Sequence, residues 1–183
     1  ARLLEERLGV RFEIVREASH ADVIERTRQG GVDVWMAAVT TAEREEFMLF
    51  TEPYVEFRAV IVVRQEETES LELSDLSRYR VVGTKGYASI DWLRENVPGI
   101  EITTVPSTAD ALTAVSFGTA DAIVVSEALA SHYIGALNLN NLKVAGQLDY
   151  VWRLSIASVK EVPALNSILQ KALDSIDVEE REA

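Results

Sequence analysis

The stretch from Gly30 to Tyr54 constrains the fold more than any other part of this 183-residue chain. A glycine pair leads into a nearly continuous apolar run from Val32 to Val39. Such a run is typical of a strand that is covered on both faces. The Thr40-Thr41 pair then offers a helix N-cap, with Ala42 to Arg44 as the first turn. An extended Phe-Thr-Glu-Pro-Tyr segment ends the stretch.

Arg44 is the unusual residue of this stretch. A cation in the first turn of a helix opposes the helix dipole, at a cost of up to about 1 kcal/mol. The same cation beside free backbone N–H groups makes a site for a carboxylate or phosphate. The alternative is a surface arginine that pairs with Glu43, Glu45 or Glu46.

Three motifs occur here in a characteristic order and spacing. They are Gly-x-x-Asp-Val from Gly30, Thr-x-x-Arg from Thr41 and Phe-Thr-x-Pro-Tyr from Phe50. Together they resemble the amino-acid-binding class of type II periplasmic binding proteins, the bacterial extracellular solute-binding family 3. The resemblance runs from about Leu3 to the end of the chain. It implies an α/β fold of two lobes, each a mostly parallel sheet flanked by helices, with a ligand held in the cleft.

Composition excludes several classes of partner. The chain has 30 acidic and 18 basic residues, a formal net charge of −12, so nucleic acid and anionic membranes are poor partners. Cysteine is absent, and no HExxH, EF-hand or P-loop pattern occurs, so we predict no metal site and no cofactor. No apolar run approaches the roughly 20 residues that span a bilayer. No signal peptide opens the chain, as expected for an exported protein whose signal has been removed.

Alternating strand and helix patterns predict parallel α/β sheets along the rest of the chain. The predicted strands are residues 10–15, 32–39, 59–63, 79–83, 101–105, 122–125, 142–145 and 152–157. The predicted helices begin at or near residues 3, 19, 41, 75, 90, 107, 127 and 163.

An internal repeat supports two lobes. Ser19-x-Ala21-Asp22 lies eleven residues before Gly30, and Ser107-x-Ala109-Asp110 lies eleven residues before Gly118. Each segment is typical of a capped helix, a glycine stop and a buried strand, so one supersecondary unit is used twice.

The resemblance also implies where the lobes divide. We expect lobe one at residues 1–54 and 151–183, lobe two at residues 59–145, and hinge crossings at residues 55–58 and 146–150.

Within lobe one, the resemblance implies that Arg44 clamps a ligand carboxylate, beside Thr41, the Val39 N–H and the Ala37 carbonyl. Within lobe two, it implies that amides of the Gly86 to Ser89 turn reach the same carboxylate. That turn also stands by itself as an anion-receptive nest, because it combines a glycine with the start of a helix. The ligand-binding residues predicted for lobe two are Tyr87, Ala88, Ser89 and Ser126.

Three positions depart from the family pattern. Val39 and Ala88 lack the hydroxyl groups that are common there. Ser126, equivalent by the internal repeat to Ala38 at the carboxyl end of a strand, replaces the acid that pairs with a ligand ammonium. A buried ammonium without an anionic partner would cost several kcal/mol. We therefore predict a small carboxylate, such as a hydroxy, keto or aromatic acid, over an α-amino acid.

No catalytic residue is predicted. Ser126 and His132 are close in sequence, but no Gly-x-Ser-x-Gly pattern surrounds the serine. We expect both histidines, His20 and His132, at surface or capping positions. The fold also occurs in cyclohexadienyl dehydratases and in regulatory lobes of lytic transglycosylases, but no feature favours these over binding, and we predict that the chain is not an enzyme.

Two features bear on context. The family places a strand before its first helix, and this chain opens in that helix. We expect lower stability than for a longer chain, or pairing with another chain, as in a dimer. The tail from Ser175 to Glu182 resembles the end of sensor domains in membrane histidine kinases and diguanylate cyclases.

We therefore expect a periplasmic ligand sensor, tethered to the inner membrane by a full-length receptor with a kinase or cyclase module. The alternatives are a free solute receptor of an ABC transporter and a dehydratase-like enzyme.

Overall fold

The computed structural model describes residues 1–177 and residue 180. Residues 178, 179, 181 and 182 of the tail that resembles sensor domains therefore lie outside the described residues. The helices are α1 (Arg2–Leu8), α2 (His20–Arg28), α3 (Ala42–Glu45), α4 (Ala88–Asn96), α5 (Thr108–Ser116), α6 (Glu127–Ala136) and α7 (Pro163–Asp174), with a 3₁₀ helix at Leu73–Arg78. The strands are β1 (Val34–Val39), β2 (Met48–Phe50), β3 (Val55–Arg64), β4 (Val81–Thr84), β5 (Ile102–Val105), β6 (Ala122–Ser126) and β7 (Leu142–Val159).

Helices α2 and α5 begin with the same cap. Ser19 Oγ accepts a bond from the Asp22 N–H at 3.2 Å and donates to the Asp22 carboxylate at 2.7 Å. Ser107 and Asp110 repeat these two bonds at 3.1 and 2.7 Å. Each helix is followed by a glycine with a positive φ. The predicted repeat of capped helix, glycine stop and strand is confirmed.

The chain divides into two compact units. Unit one contains residues 1–18 and 23–56, and the described residues from Arg153 onward. Unit two contains residues 19–22 and 57–152. β3 and β7 are hydrogen-bonded neighbours, and each passes from one unit to the other as a continuous strand.

β7 corrects a prediction. The sequence indicates separate strands at residues 142–145 and 152–157, but the structure has one strand from Leu142 to Val159. The intervening residues are polar on alternate positions: Gln147 and Asp149 are exposed, while Leu148 between them is buried. Such alternation is typical of a strand that is covered on one face. The glycine at 146 has no side chain, so the pattern was interrupted in the sequence.

Unit two is built around β3, β6, β4 and β5, which are neighbours in that order. β4 pairs in parallel with β5 and with β6, whereas β3 is antiparallel to β6. Every residue of β4 and β6 is buried. One core cluster joins this sheet to α5 and α6: Val60, Val62, Val82, Ala111, Leu112, Val115, Ala120, Ile123, Val125, Ala130 and Leu142.

Unit one differs from the expected parallel sheet. β1 and β2 both pair antiparallel with β7, the strand that returns from unit two. The mostly parallel arrangement thus holds around β4 but is wrong for the described pairings of unit one. Its core lies under α1 and α7: Leu4, Ile156, Leu169, Ala172, Leu173 and Ile176.

The predicted strand at residues 10–15 is also wrong. No described residue makes a hydrogen bond with the backbone of Glu13, Ile14 or Val15, and the Ile14 side chain is 73% exposed. A groove of about 710 Å³ is lined by residues 11–15 and by residues 31–36. Alternating residues form a strand only where a neighbour offers a ladder, and here the segment faces the groove instead.

Candidate functional site

Arg44 is the centre of the candidate site in unit one. It lies in the short helix α3 and is only 5% exposed. The Thr41 side chain accepts a bond from the Arg44 N–H at 3.3 Å, which confirms the predicted N-cap. The guanidinium donates through Nη1 to the Val39 carbonyl at 2.7 Å. Its Cζ lies 4.9 Å from the centroid of the Trp35 ring.

The alternative of a surface arginine that pairs with adjacent glutamates is wrong, because Arg44 is buried. Glu43 instead pairs with Arg28 of helix α2. Arg28 lies over the Phe47 ring at 5.1 Å, and 44% of its side chain is exposed. Among its described residues, unit one therefore has two arginines on aromatic rings, one buried and one exposed.

The turn from β1 to α3 brings the predicted residues of unit one together. Ala37 is exposed, Val39 is half-buried, and Ala38 between them is fully buried. The register of β1 against β7 shifts between Trp35 and Ala38. Val39 contributes its carbonyl to Arg44, a role that the sequence did not predict.

The turn before α4 carries the predicted residues of unit two. Gly86 has a φ of 85°, and Tyr87 precedes the helix. The Tyr87 N–H donates to the Thr84 carbonyl at 3.1 Å, so it is already engaged. No described residue accepts a bond from the N–H of Ala88 or Ser89. These two N–H groups therefore remain the candidate donors of the predicted anion nest.

A buried hydroxyl network lies behind this turn. Thr84 Oγ1 and Thr108 Oγ1 are 3.1 Å apart, and Thr108 Oγ1 donates to the Tyr87 hydroxyl at 3.3 Å. The His20 ring also meets the Tyr87 ring edge-on, with centroids 4.6 Å apart. Sequence reasoning missed the two threonines. Their signal was position, since Thr84 ends β4 and Thr108 opens the helix after β5.

Ser126 ends β6 and is buried. Its Oγ accepts a bond from the Leu129 N–H at 3.3 Å and so caps helix α6. The hydroxyl proton remains available for donation. His132 is exposed and lies edge-on to Tyr133, as expected for a surface position.

Three aromatic side chains of unit two form a further cluster that sequence reasoning missed. The Tyr150 ring lies 4.7 Å from the Trp92 ring and 4.9 Å from the Trp152 ring. Trp92 follows Ala88 by one helical turn, and Tyr150 and Trp152 share a face of β7. The cluster therefore joins helix α4 to the strand that leaves unit two.

Asp121, the residue before β6, has a carboxyl pKa well below its usual value. Arg80 donates to the Asp121 carboxylate at 2.7 Å, and this bond lowers the pKa of Asp121 to about 2. Arg80 also donates to the Gly118 carbonyl at 2.9 Å. Arg64 donates to the Ala120 carbonyl at 2.9 Å. These bonds fix the turn between α5 and β6, so we assign them a structural role.

Residues 1–177 and 180 contain no group of three or more histidine and acidic side chains placed to hold a metal ion. Within the same range, no helix is both long and apolar enough to span a membrane.

The two units of mixed α/β structure match the type II periplasmic-binding-protein fold. The model of the bacterial extracellular solute-binding proteins, family 3, matches residues 1–181, and the chain belongs to this family. The predicted family and the predicted two-lobed fold class are confirmed.

The virulence sensor protein BvgS of Bordetella pertussis is 31% identical over 179 residues. That match covers 97% of this chain and 14% of BvgS, so the chain spans a small part of its curated relatives. The crystal structure of the periplasmic VFT2 domain of Bordetella pertussis BvgS has a TM-score of 0.87 and 31% identity, covering 98% of this chain and 77% of that one. A histidine kinase sensor domain with similarity to periplasmic binding proteins has a TM-score of 0.87 at 22% identity, covering 94% and 75%, and shows the shared fold.

Proposed function

We propose that this chain is a periplasmic ligand-sensing domain of a transmembrane receptor with a kinase module. The similarity to a periplasmic domain of BvgS, a sensor protein, supports this proposal over a free transport receptor. We expect the coding sequence of the full protein to place a membrane-spanning helix and a kinase or cyclase module beyond this domain. Adjacent permease genes without such a fusion would support the transport receptor instead.

Buried Arg44 is the observation that carries the proposed ligand, a small carboxylate. An arginine presents five N–H donors in a planar fork that matches a carboxylate, and charge-assisted bonds of this kind are strong. Burial strengthens such a pair, because water competes less. We propose that the amides of Ala88 and Ser89 in unit two also donate to a ligand carboxylate, as the family resemblance implies.

Ser126 supports a ligand without an ammonium group. Its Oγ accepts the bond that caps α6, its hydroxyl proton can be donated to a ligand oxygen, and it carries no charge to balance a buried ammonium. A keto or hydroxy oxygen is an acceptor, whereas an ammonium has only donors. The proposed class is therefore a keto or hydroxy acid, or an aromatic acid, and the proposed role is binding without turnover.

Calorimetry with 2-oxobutanoate, lactate, benzoate and alanine tests this proposal. We expect one of the first three to bind and alanine to bind weakly. Arg44→Ala should abolish binding, and Arg44→Lys should recover little, because a lysine lacks the planar fork. Arg28→Ala is the matched control and should bind as the wild type does, since Arg28 is exposed and already paired with Glu43. Tight binding of alanine, or full binding by Arg44→Ala, would overturn the proposal.

Ser126→Asp separates the two ligand classes. A carboxylate at this position should repel an anionic ligand and favour a zwitterion. We expect weaker binding of the acid and stronger binding of alanine in this variant. The opposite change would show that Ser126 does not contact the ligand.

A further inference from the structure

We propose that Trp35 is a positioning residue that holds the Arg44 guanidinium in place for an anion. The Arg44 Cζ lies over the Trp35 ring at 4.9 Å, and nothing in the sequence pattern pointed to this contact. The positioning is a property of the ligand-free protein. Only its consequence for affinity rests on the function proposed above.

The Trp35 ring is itself restrained by its strand and by the side chains packed around it. Trp35 pairs with Ala157 in the ladder between β1 and β7. It packs on a small core cluster of unit one together with other aromatic and aliphatic side chains: Ala38, Met48, Ala157, Phe47, Phe50 and Val159. A ring set in such a cluster offers a rigid face rather than a mobile one.

An aromatic face suits this task better than a carboxylate would. The five N–H donors of arginine lie in the plane of the guanidinium, whereas the ring contacts the guanidinium through its π face. The ring therefore stabilises the buried cation without using a donor. A carboxylate in the same place would compete with the ligand for those donors.

Two hydrogen bonds also restrain Arg44, one at its backbone and one at its guanidinium. Its backbone N–H is bound by Thr41 at 3.3 Å, and its Nη1 is bound by the Val39 carbonyl at 2.7 Å. The side chain is thus held at its base, through Nη1 and over the face of the Trp35 ring. Pre-organisation of this kind raises affinity, because less rotamer freedom is lost when the anion binds.

Arg28 over Phe47 is the matched control pair. The distance is similar, 5.1 Å, but Arg28 is exposed and paired with Glu43. The variants are Trp35→Leu, which removes the face, Trp35→Phe, which keeps a smaller face, and Arg28→Ala, which removes the control cation.

The first measurement is side-chain NMR of the ligand-free protein with ¹⁵N-labelled arginine. The Arg44 Nε–H resonance, assigned by its loss in Arg44→Lys, should be displaced upfield by the Trp35 ring current. It should return towards the common arginine position in Trp35→Leu and stay displaced in Trp35→Phe. An undisplaced resonance in the wild-type protein would overturn the proposal, and this result needs no folded Trp35 variant.

The second measurement is calorimetry with benzoate as the probe. We expect Trp35→Leu to weaken benzoate binding about tenfold, which lies within the range between exposed and desolvated cation–π contacts, and Trp35→Phe to restore most of it. Arg28→Ala should leave the affinity unchanged, because Arg28 is exposed and lies outside the cluster around Trp35. Equal benzoate affinity in folded Trp35→Leu and wild type would overturn the positioning role. If benzoate fails to bind the wild type while the resonance behaves as expected, the positioning stands and the choice of an aromatic acid fails.

Discussion

β6 of unit two and β1 of unit one have similar apolar sequences but different surroundings. All five residues of β6 are buried, whereas only Ala38 is buried among the six residues of β1. β6 lies between β3 and β4. β1 has β7 on one side, and its first three residues, 34–36, line the groove. An apolar run therefore predicts a strand, but the neighbours of that strand decide how deeply it is buried. Four predictions test this comparison.

Gly146→Ala should have the largest effect. An added Cβ would lie 2.0 Å from the Leu71 carbonyl oxygen, which is backbone and cannot rotate away. We expect a loss of about 4 kcal/mol or more in the free energy of unfolding, measured by urea denaturation. Gly135→Ala in α6 is the control, because its Cβ would meet nothing within 4 Å. That variant should gain up to about 1 kcal/mol, and a Gly146→Ala protein as stable as wild type would refute the close approach.

Val125→Ala and Val34→Ala compare the two strands directly. Val125 is 2% exposed within the core of unit two, whereas Val34 of β1 is only half-buried. We expect a loss of about 2 to 3 kcal/mol for Val125→Ala and about 1 kcal/mol for Val34→Ala, because the half-buried site loses less transfer free energy and leaves a smaller cavity. Chemical denaturation of both variants measures the difference. Equal losses would show that β1 is as well covered as β6.

Asp121→Asn tests an electrostatic contact of unit two. The Arg80 bond depresses the folded pKa of Asp121 from 3.8 to about 2. The carboxylate therefore contributes stability above pH 4, and this contribution disappears as the pH falls from about 4 to 2. We expect Asp121→Asn to lose about 1 kcal/mol at pH 7, after allowance for solvent screening. The difference from wild type should shrink as the pH falls through this window, and a difference that stays constant would rule out the ionised pair as its source.

Ile14→Ser should have the smallest effect. The side chain is 73% exposed beside the groove, so little apolar surface returns to water. We expect the free energy of unfolding to stay within about 0.5 kcal/mol of wild type, as for most surface substitutions. A loss above about 1.5 kcal/mol, the cost of exposing a buried isoleucine, would show that the groove is filled in solution.

The sequence by itself determined the features that depend on near neighbours. The caps of α2 and α5 and the Thr41 cap of α3 involve residues three positions apart, so their patterns are readable without a fold. The order of the motifs around Arg44 identified the family and the two-lobed fold. Arg44 itself was recognisable because a cation in the first turn opposes the helix dipole, which indicates that another interaction compensates for the cost.

Only the tertiary structure decided pairing, burial and the surroundings of Arg44. The strand predicted at residues 10–15 alternates correctly, but a ladder needs a partner that local sequence does not specify. The antiparallel pairing of β1 with β7 joins residues more than a hundred positions apart. Trp35 meets Arg44 because the turn after β1 folds the helix back over the strand, a contact set by packing rather than by spacing. Caps and turns arise from bonds within one turn of chain, whereas burial is a property of every element that packs against a residue.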